Sequence, residues 1–326
     1  MCYRGKLFWL VLLFSAAVWA IAFILLWDMT ALLSSWETGL TMLFGSFVAG
    51  STPLGGGAVA FPVFTKVLQV SAAEARVFSL FIQSVGMTFA TLYFISQRVF
   101  IDWAVIARGM LYAVLGQLCA VAFSVTDGLL LKYAFSCFLL LVAILLIHDK
   151  RNLVINLNDR KRRYTFSLLT FLGGMITGYL GSGADTLLFF YFVLLLGSQA
   201  RQMIPTTVTF MALNAQLGAV LFFVLDQQPS EFVVKSWFFA APVVALGAPL
   251  GGYILTKLQP SHILSFVIVV IIVESVSTLL LLPLHPIKVI LLSSLLIYVA
   301  VILLLKLKPT QVNKRDMPVV CEEQNG

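Results

Sequence analysis

From Leu7 to Trp27 the chain runs through 21 residues without a charge or a proline. A helix of that length covers about 31 Å, close to the thickness of a bilayer's hydrocarbon core. Comparable apolar runs recur along most of the sequence. Of its 326 residues, 60% are hydrophobic and only 11% charged, against about a quarter charged in a soluble domain. The fold class read from this is an all-α polytopic membrane protein. The net charge of +7 does not point to nucleic acid, because most of the basic residues sit in short loops and tails, where membrane topology places them.

One stretch does not fit a plain membrane helix. Gly45 to Pro62 holds Gly45, Gly50, Gly55, Gly56 and Gly57, with Pro53 and the pair Ser51-Thr52 among them. Glycine and proline weaken a helix, and backbone groups freed inside lipid need protein or water to satisfy them. The stretch is therefore expected to be buried and to line something. A second broken stretch lies at 166–197, around GGMITGYLGSGADT. Glycines 45, 50 and 55 are spaced by five, as are glycines 173, 178 and 183, and the two trios are 128 residues apart. Pro53 corresponds to Gly181 and Gly57 to Asp185. Each trio precedes an arginine (Arg76, Arg201) and a series of apolar runs, which predicts an internal repeat.

The organisation follows. Residues 1–37 are an extra, uncleaved N-terminal span with an outer loop. Repeat 1 covers 38–148, with spans near 76–96, 103–125 and 128–148. A basic cytoplasmic loop, 149–164, separates it from repeat 2 at 165–284, with spans near 203–225, 234–256 and 262–282. A final span, 285–305, leads to a cytoplasmic tail, 306–326. If each broken stretch is a hairpin returning to its own side, there are about eight full spans, and three crossings per half invert one repeat relative to the other. Both termini and the basic loop then fall on the cytoplasmic side, as the positive-inside rule asks. If each broken stretch crosses once, there are ten spans and the basic loop lies outside, which the charge pattern disfavours. Inverted repeats with broken helices at mid-membrane are a common build of secondary transporters.

The run of glycines from Gly45 to Pro62, its weaker copy from Gly173 to Gly183, the basic middle loop and the chain length resemble the TauE/SafE family of sulfite exporters over about residues 38–305. The resemblance implies a multi-pass permease of the bacterial inner membrane for sulfite, an organosulfonate or a related small organic anion. The second copy departs from the pattern, reading Gly183-Ala184-Asp185 where the first has three glycines. An acid there fits an anion site only if it is protonated or paired with a cation.

The residues suggest roles. Half-helix N-termini near Gly55–Gly57 and Gly183–Asp185 offer unpaired N–H groups to an anion, and Ser51, Thr52, Ser182 and Thr186 add hydroxyls. These, with Gly55, Gly56, Gly57, Gly183 and Asp185, are the candidate substrate-binding residues; close helix packing by small residues is the competing explanation for the glycines, and the preferred one for Gly247 and Gly251. Asp185 and Glu274 are acids inside apolar runs, costly there and so candidates for proton coupling. Gln83 and Asn214 are candidates for lining the path, with interhelical hydrogen bonding equally open. Arg76 and Arg201 lie near span starts, where snorkelling to the interface competes with steering of anions.

Other classes find little support. The chain lacks HExxH, GxGD and GxSG, and GSTPLGGG lacks the GK[ST] of a phosphate loop. The cysteines Cys2, Cys119, Cys137 and Cys321 have no metal-like spacing. No catalytic residue, metal or cofactor is expected. The expected partners are a small anionic substrate and membrane lipids; a homo-oligomer is left open. An intramembrane enzyme or a scaffold without transport activity is the alternative.

Overall fold

The computed structural model describes residues 3–26, 36–56, 59, 63–123, 158–225 and 228–259, with isolated positions between 130 and 140 and between 262 and 286. The chain divides into two compact units, Met1–Leu282 and Pro283–Gly326, and the architecture below is that of the first. Among the described residues no strand occurs. The helices are α1 (Tyr3–Leu26), α2 (Trp36–Ser51), α3 (Ala72–Ser96), α4 (Trp103–Ala122), α5 (Asp159–Leu180), α6 (Ala184–Phe190), α7 (Ala200–Val224) and α8 (Glu231–Lys257). Five of them, α1, α3, α4, α7 and α8, are long and apolar enough to cross a membrane. The expected spans near 128–148, 262–282 and 287–305 lie largely or wholly outside the described residues.

Element boundaries recur at the glycine offset. α3 and α7 both have 25 residues and start 128 apart. α4 and α8 also start 128 apart. So do two π-helical turns, Val63–Val67 and Tyr191–Leu195. Local chemistry starts the helices. Ser71 accepts a hydrogen bond from the Glu74 amide, and the Glu74 carboxylate accepts from the Ser71 hydroxyl and backbone N–H, a capping box. Asp102 and Ser230 cap α4 and α8 by accepting from Val105 and Val233. The basic loop expected to run to Tyr164 gives way to helix at Asp159. Asn158 takes the extended conformation of an N-cap and an acid opens the first turn, both favourable at that end, so Arg160 to Arg163 ride on α5.

Helix pairing is reciprocal. α2 packs on α8, and α5 packs on α4; α3 packs on both α7 and α8. Gly50 lies so close to α8 that a Cβ would stand 1.8 Å from the Ala248 carbonyl oxygen. At the repeat-related place a Cβ on Gly178 would stand 2.5 Å from the Ala120 methyl. Gly247 and Gly251 face Ser46 and the Phe47 carbonyl at similar range, so close packing explains that pair, as expected. Along α5, Gly174 meets Ala113 of α4 and Gly178 meets Gln117 and Ala120, so these two helices run the same way. α3 and α7 run oppositely. Phe81 packs on Phe222 and Phe223, Thr88 accepts from Gln216, and Thr91 bonds Thr209; advancing along α3 moves back along α7. Thr88 and Gln216 are themselves 128 residues apart. α1 lies outside this bundle. It docks through Phe8 and Leu12 on Phe89 and Ala245, and the Trp19 indole donates to the Phe238 carbonyl.

Candidate functional site

α2, with 16 residues, is about 24 Å long and too short to span the hydrocarbon core by itself. It stops at Ser51 because Pro53 cannot continue its ladder, and Gly55 then turns at φ +68°. α5 stops at Gly181, a left-handed C-cap at φ 79° whose amide bonds the Thr177 carbonyl. Gly183 follows at φ 126° and α6 begins. Residues with a Cβ are disfavoured at these angles, so the glycines are needed where the chain reverses. The partner arm of the first break is only partly visible, since Gly57 and residues 60–62 lie outside the described residues.

The two breaks meet inside the protein. The Thr186 hydroxyl donates to the Pro53 carbonyl at 2.8 Å. A Cβ on Gly55 would lie 2.5 Å from Gln83 Oε1 and 3.1 Å from Asp185 Oδ2. Asp185, Thr52 and Ser79 are fully buried, and Ser51, Gln83, Ser182 and Thr186 nearly so. Gln83 is oriented by its amide, which donates to Ser79 Oγ at 2.8 Å and to the Gly181 carbonyl at 2.7 Å. Ser79 Oγ donates to the same carbonyl. With its nitrogen tied to the second break, Gln83 turns its oxygen toward the first.

The chemistry at the junction is unbalanced. Gln83 Oε1, Asp185 Oδ2 and Ser182 Oγ are buried without a hydrogen-bond partner. The first two are acceptors converging on Gly55. A junction of this kind holds a proton, a water or a cation better than a bare anion, since an unmatched buried acceptor costs about 1–3 kcal/mol. The donors expected to face a substrate are largely committed. Ser51 donates to the Phe47 carbonyl, Thr52 to Val48 and Thr186 to Pro53. The Ala184 amide is met by Thr177 Oγ1, and the Thr186 amide by Asp185 Oδ1.

Of the other candidates, Gly56 packs beside Gly45 and Ala49. Asn214 is fully buried but occupied elsewhere, donating to the Phe210 carbonyl and accepting from Gln117. It therefore joins α7 to α4. Arg201 reaches the Thr256 carbonyl. Glu274 lies outside the described residues. The sequence reading missed Ser79, Thr177 and Gln117. A signal existed for Ser79: Arg76, Ser79 and Gln83 fall at i, i+3 and i+7, one face of α3.

A bundle of membrane-length helices enclosing two touching chain breaks defines a multi-pass membrane protein. The chain matches the family described as sulfite exporter TauE/SafE over residues 38–278, and it belongs to that transporter family. Comparison with curated proteins returned no match. Comparison with solved structures likewise returned none.

Proposed function

We propose that the protein is a secondary transporter, exporting sulfite, an organosulfonate or a related small anion by alternating access, with the junction of the two breaks as its coupling site. The observation that carries this is the contact of the breaks in the buried core, through Thr186 and Pro53, beside the unpartnered oxygens of Gln83 and Asp185. A static scaffold has no use for two costly chain reversals and an orphan carboxylate at that depth. Asp185 takes a proton between the two acceptors on one side of the cycle and releases it on the other.

The repeats are inverted in this reading. Support comes from the antiparallel course of α3 and α7, which the repeat offset makes equivalent. Breaks that crossed the membrane would give each half an even number of spans and leave α3 and α7 parallel. In this reading the breaks are hairpins, the first entered from outside and the second from the cytoplasm, with the chain in a bacterial inner membrane and both termini cytoplasmic. The basic start of α5, Arg160 to Arg163, supports the cytoplasmic entry.

Flux measured in vesicles tests the reading. Sulfite, sulfate, methanesulfonate and acetate are compared with and without an imposed proton gradient. Accumulation of at least one of them driven by the gradient is expected; wild-type vesicles inert to all four would refute transport of this class.

A further inference from the structure

The junction is rich in acceptors, which leaves open what holds the anion. A cleft beside it supplies an answer. It is lined by Arg76 and Leu80 of α3, Gln117 of α4, Gly178 of α5, and Gly218 and Phe222 of α7. Among the described lining residues there is no acid. Arg76 is half-buried at its wall. Its Nη1 donates to the Gly178 carbonyl at 3.2 Å, one turn before the second break. Its Nε is buried with no partner. Gln117 braces the wall by donating to the Asn214 carbonyl and side-chain oxygen. A guanidinium held by one nitrogen, with another N–H buried and unmatched, leaves a donor that an oxyanion entering the cleft can meet.

We infer that this cleft is the oxyanion-recognition site of the transporter, with Arg76 its principal ligand. The inference rests on the transport reading above and specifies where the anion sits. The ligand class is a small anion with at least two oxygens, sulfite, sulfonate or carboxylate, because the planar fork of arginine matches paired oxygens and a spherical halide does not. Arg76 and Gln83 share one face of α3, and both contact the segment Gly178–Gly181. Anion binding in the cleft therefore pulls on the same backbone that positions the acceptors at the junction. This division places the anion and the proton at separate points linked by one short segment.

Calorimetry on the full chain in nanodiscs of zwitterionic lipid tests this, titrating sulfite, methanesulfonate and chloride into wild type, Arg76→Gln and Arg76→Lys. Arg76→Gln should weaken oxyanion binding at least tenfold. Arg76→Lys, which keeps the charge and guards against a simple folding defect, should weaken it less while losing the preference for oxyanions over chloride. Equal affinities in all three proteins would overturn the assignment. Repeating the wild-type titration with phosphatidylglycerol in the nanodisc separates sources: oxyanion binding abolished by that lipid would assign the cleft to a headgroup and also overturn it. The two readings fail differently. Gradient-driven flux with Arg76→Gln binding like wild type sinks only the cleft, whereas no flux and no binding in wild type sinks both.

Discussion

The Arg76 cleft has a counterpart 128 residues away, and the two differ in a telling way. Where one half has Arg76, Leu80, Gln117 and Gly218, the other has Ile204, Val208, Ala245 and Ala90. Ile204, Val208, Ala90 and Phe94 are fully buried there, whereas Arg76 and Phe222 are only partly so. The same helix arrangement is thus an opening with Arg76 and Gln117 on its wall in one half and a packed apolar seam in the other. The helix starts keep one offset while the side chains at matching places differ. In the inverted reading, the opening faces outside and the seam closes the cytoplasmic side.

The most damaging way to erase that difference is to make the seam resemble the cleft. Ile204→Arg puts an unpaired charge in a fully buried place and should cost on the order of 3–5 kcal/mol, seen as loss of monodisperse protein on size exclusion. Next come the glycines that bring the paired helices together. Gly50→Ala drives a methyl into a backbone carbonyl, whereas Gly178→Ala overlaps the Ala120 methyl and touches Gln117 at ordinary contact distance. Gly50→Ala should therefore lower the melting temperature in detergent more, by the equivalent of about 1–3 kcal/mol; equal shifts would deny that the two contacts differ. Asp185→Asn keeps the shape of the junction and removes its ionisable group. Flux should fall at least tenfold, about 1.4 kcal/mol in barrier, and lose its dependence on the proton gradient. A variant still driven by the gradient would clear Asp185 of coupling.

Smaller effects sharpen the picture of contact between the halves. Thr186→Val deletes the bond to Pro53 and should cost about 1 kcal/mol, with faster exchange of backbone amides at the breaks than in wild type. Gln216→Leu removes the bond to Thr88, the equivalent position in the other half, and should cost only about 0.6 kcal/mol. A larger loss would mean that this contact carries more of the α3–α7 interface than one interhelical bond usually does.

Much of the frame was legible in the residues. Long uncharged runs required membrane helices, and two glycine trios at one offset located both breaks. The starts of α3, α4, α7 and α8 fell within four residues of where the apolar patterns placed them. The junction was legible in part. Gln83 and Asp185 stood out because a polar group is expensive inside an apolar run, and both lie buried at the junction, but the bonds of their neighbours could not be read. The Thr52 hydroxyl turns back to its own helix and the Thr186 hydroxyl spans to Pro53, and nothing in either side chain's chemistry distinguishes those choices. Asn214 could line a path or bond between helices on its sequence alone, and it pairs with Gln117.

What the sequence determined alone was periodicity, polarity and where the backbone must break, because these depend on local sterics and on the cost of polar groups in lipid. Which acceptors stay unpartnered, and that Arg76 rather than Arg201 borders a cleft beside the breaks, was decided by tertiary structure. Those properties depend on which residues from distant segments come within a few ångströms, and side chains 100 or more positions apart, such as Arg76 and Gly178, meet only when the two halves pack.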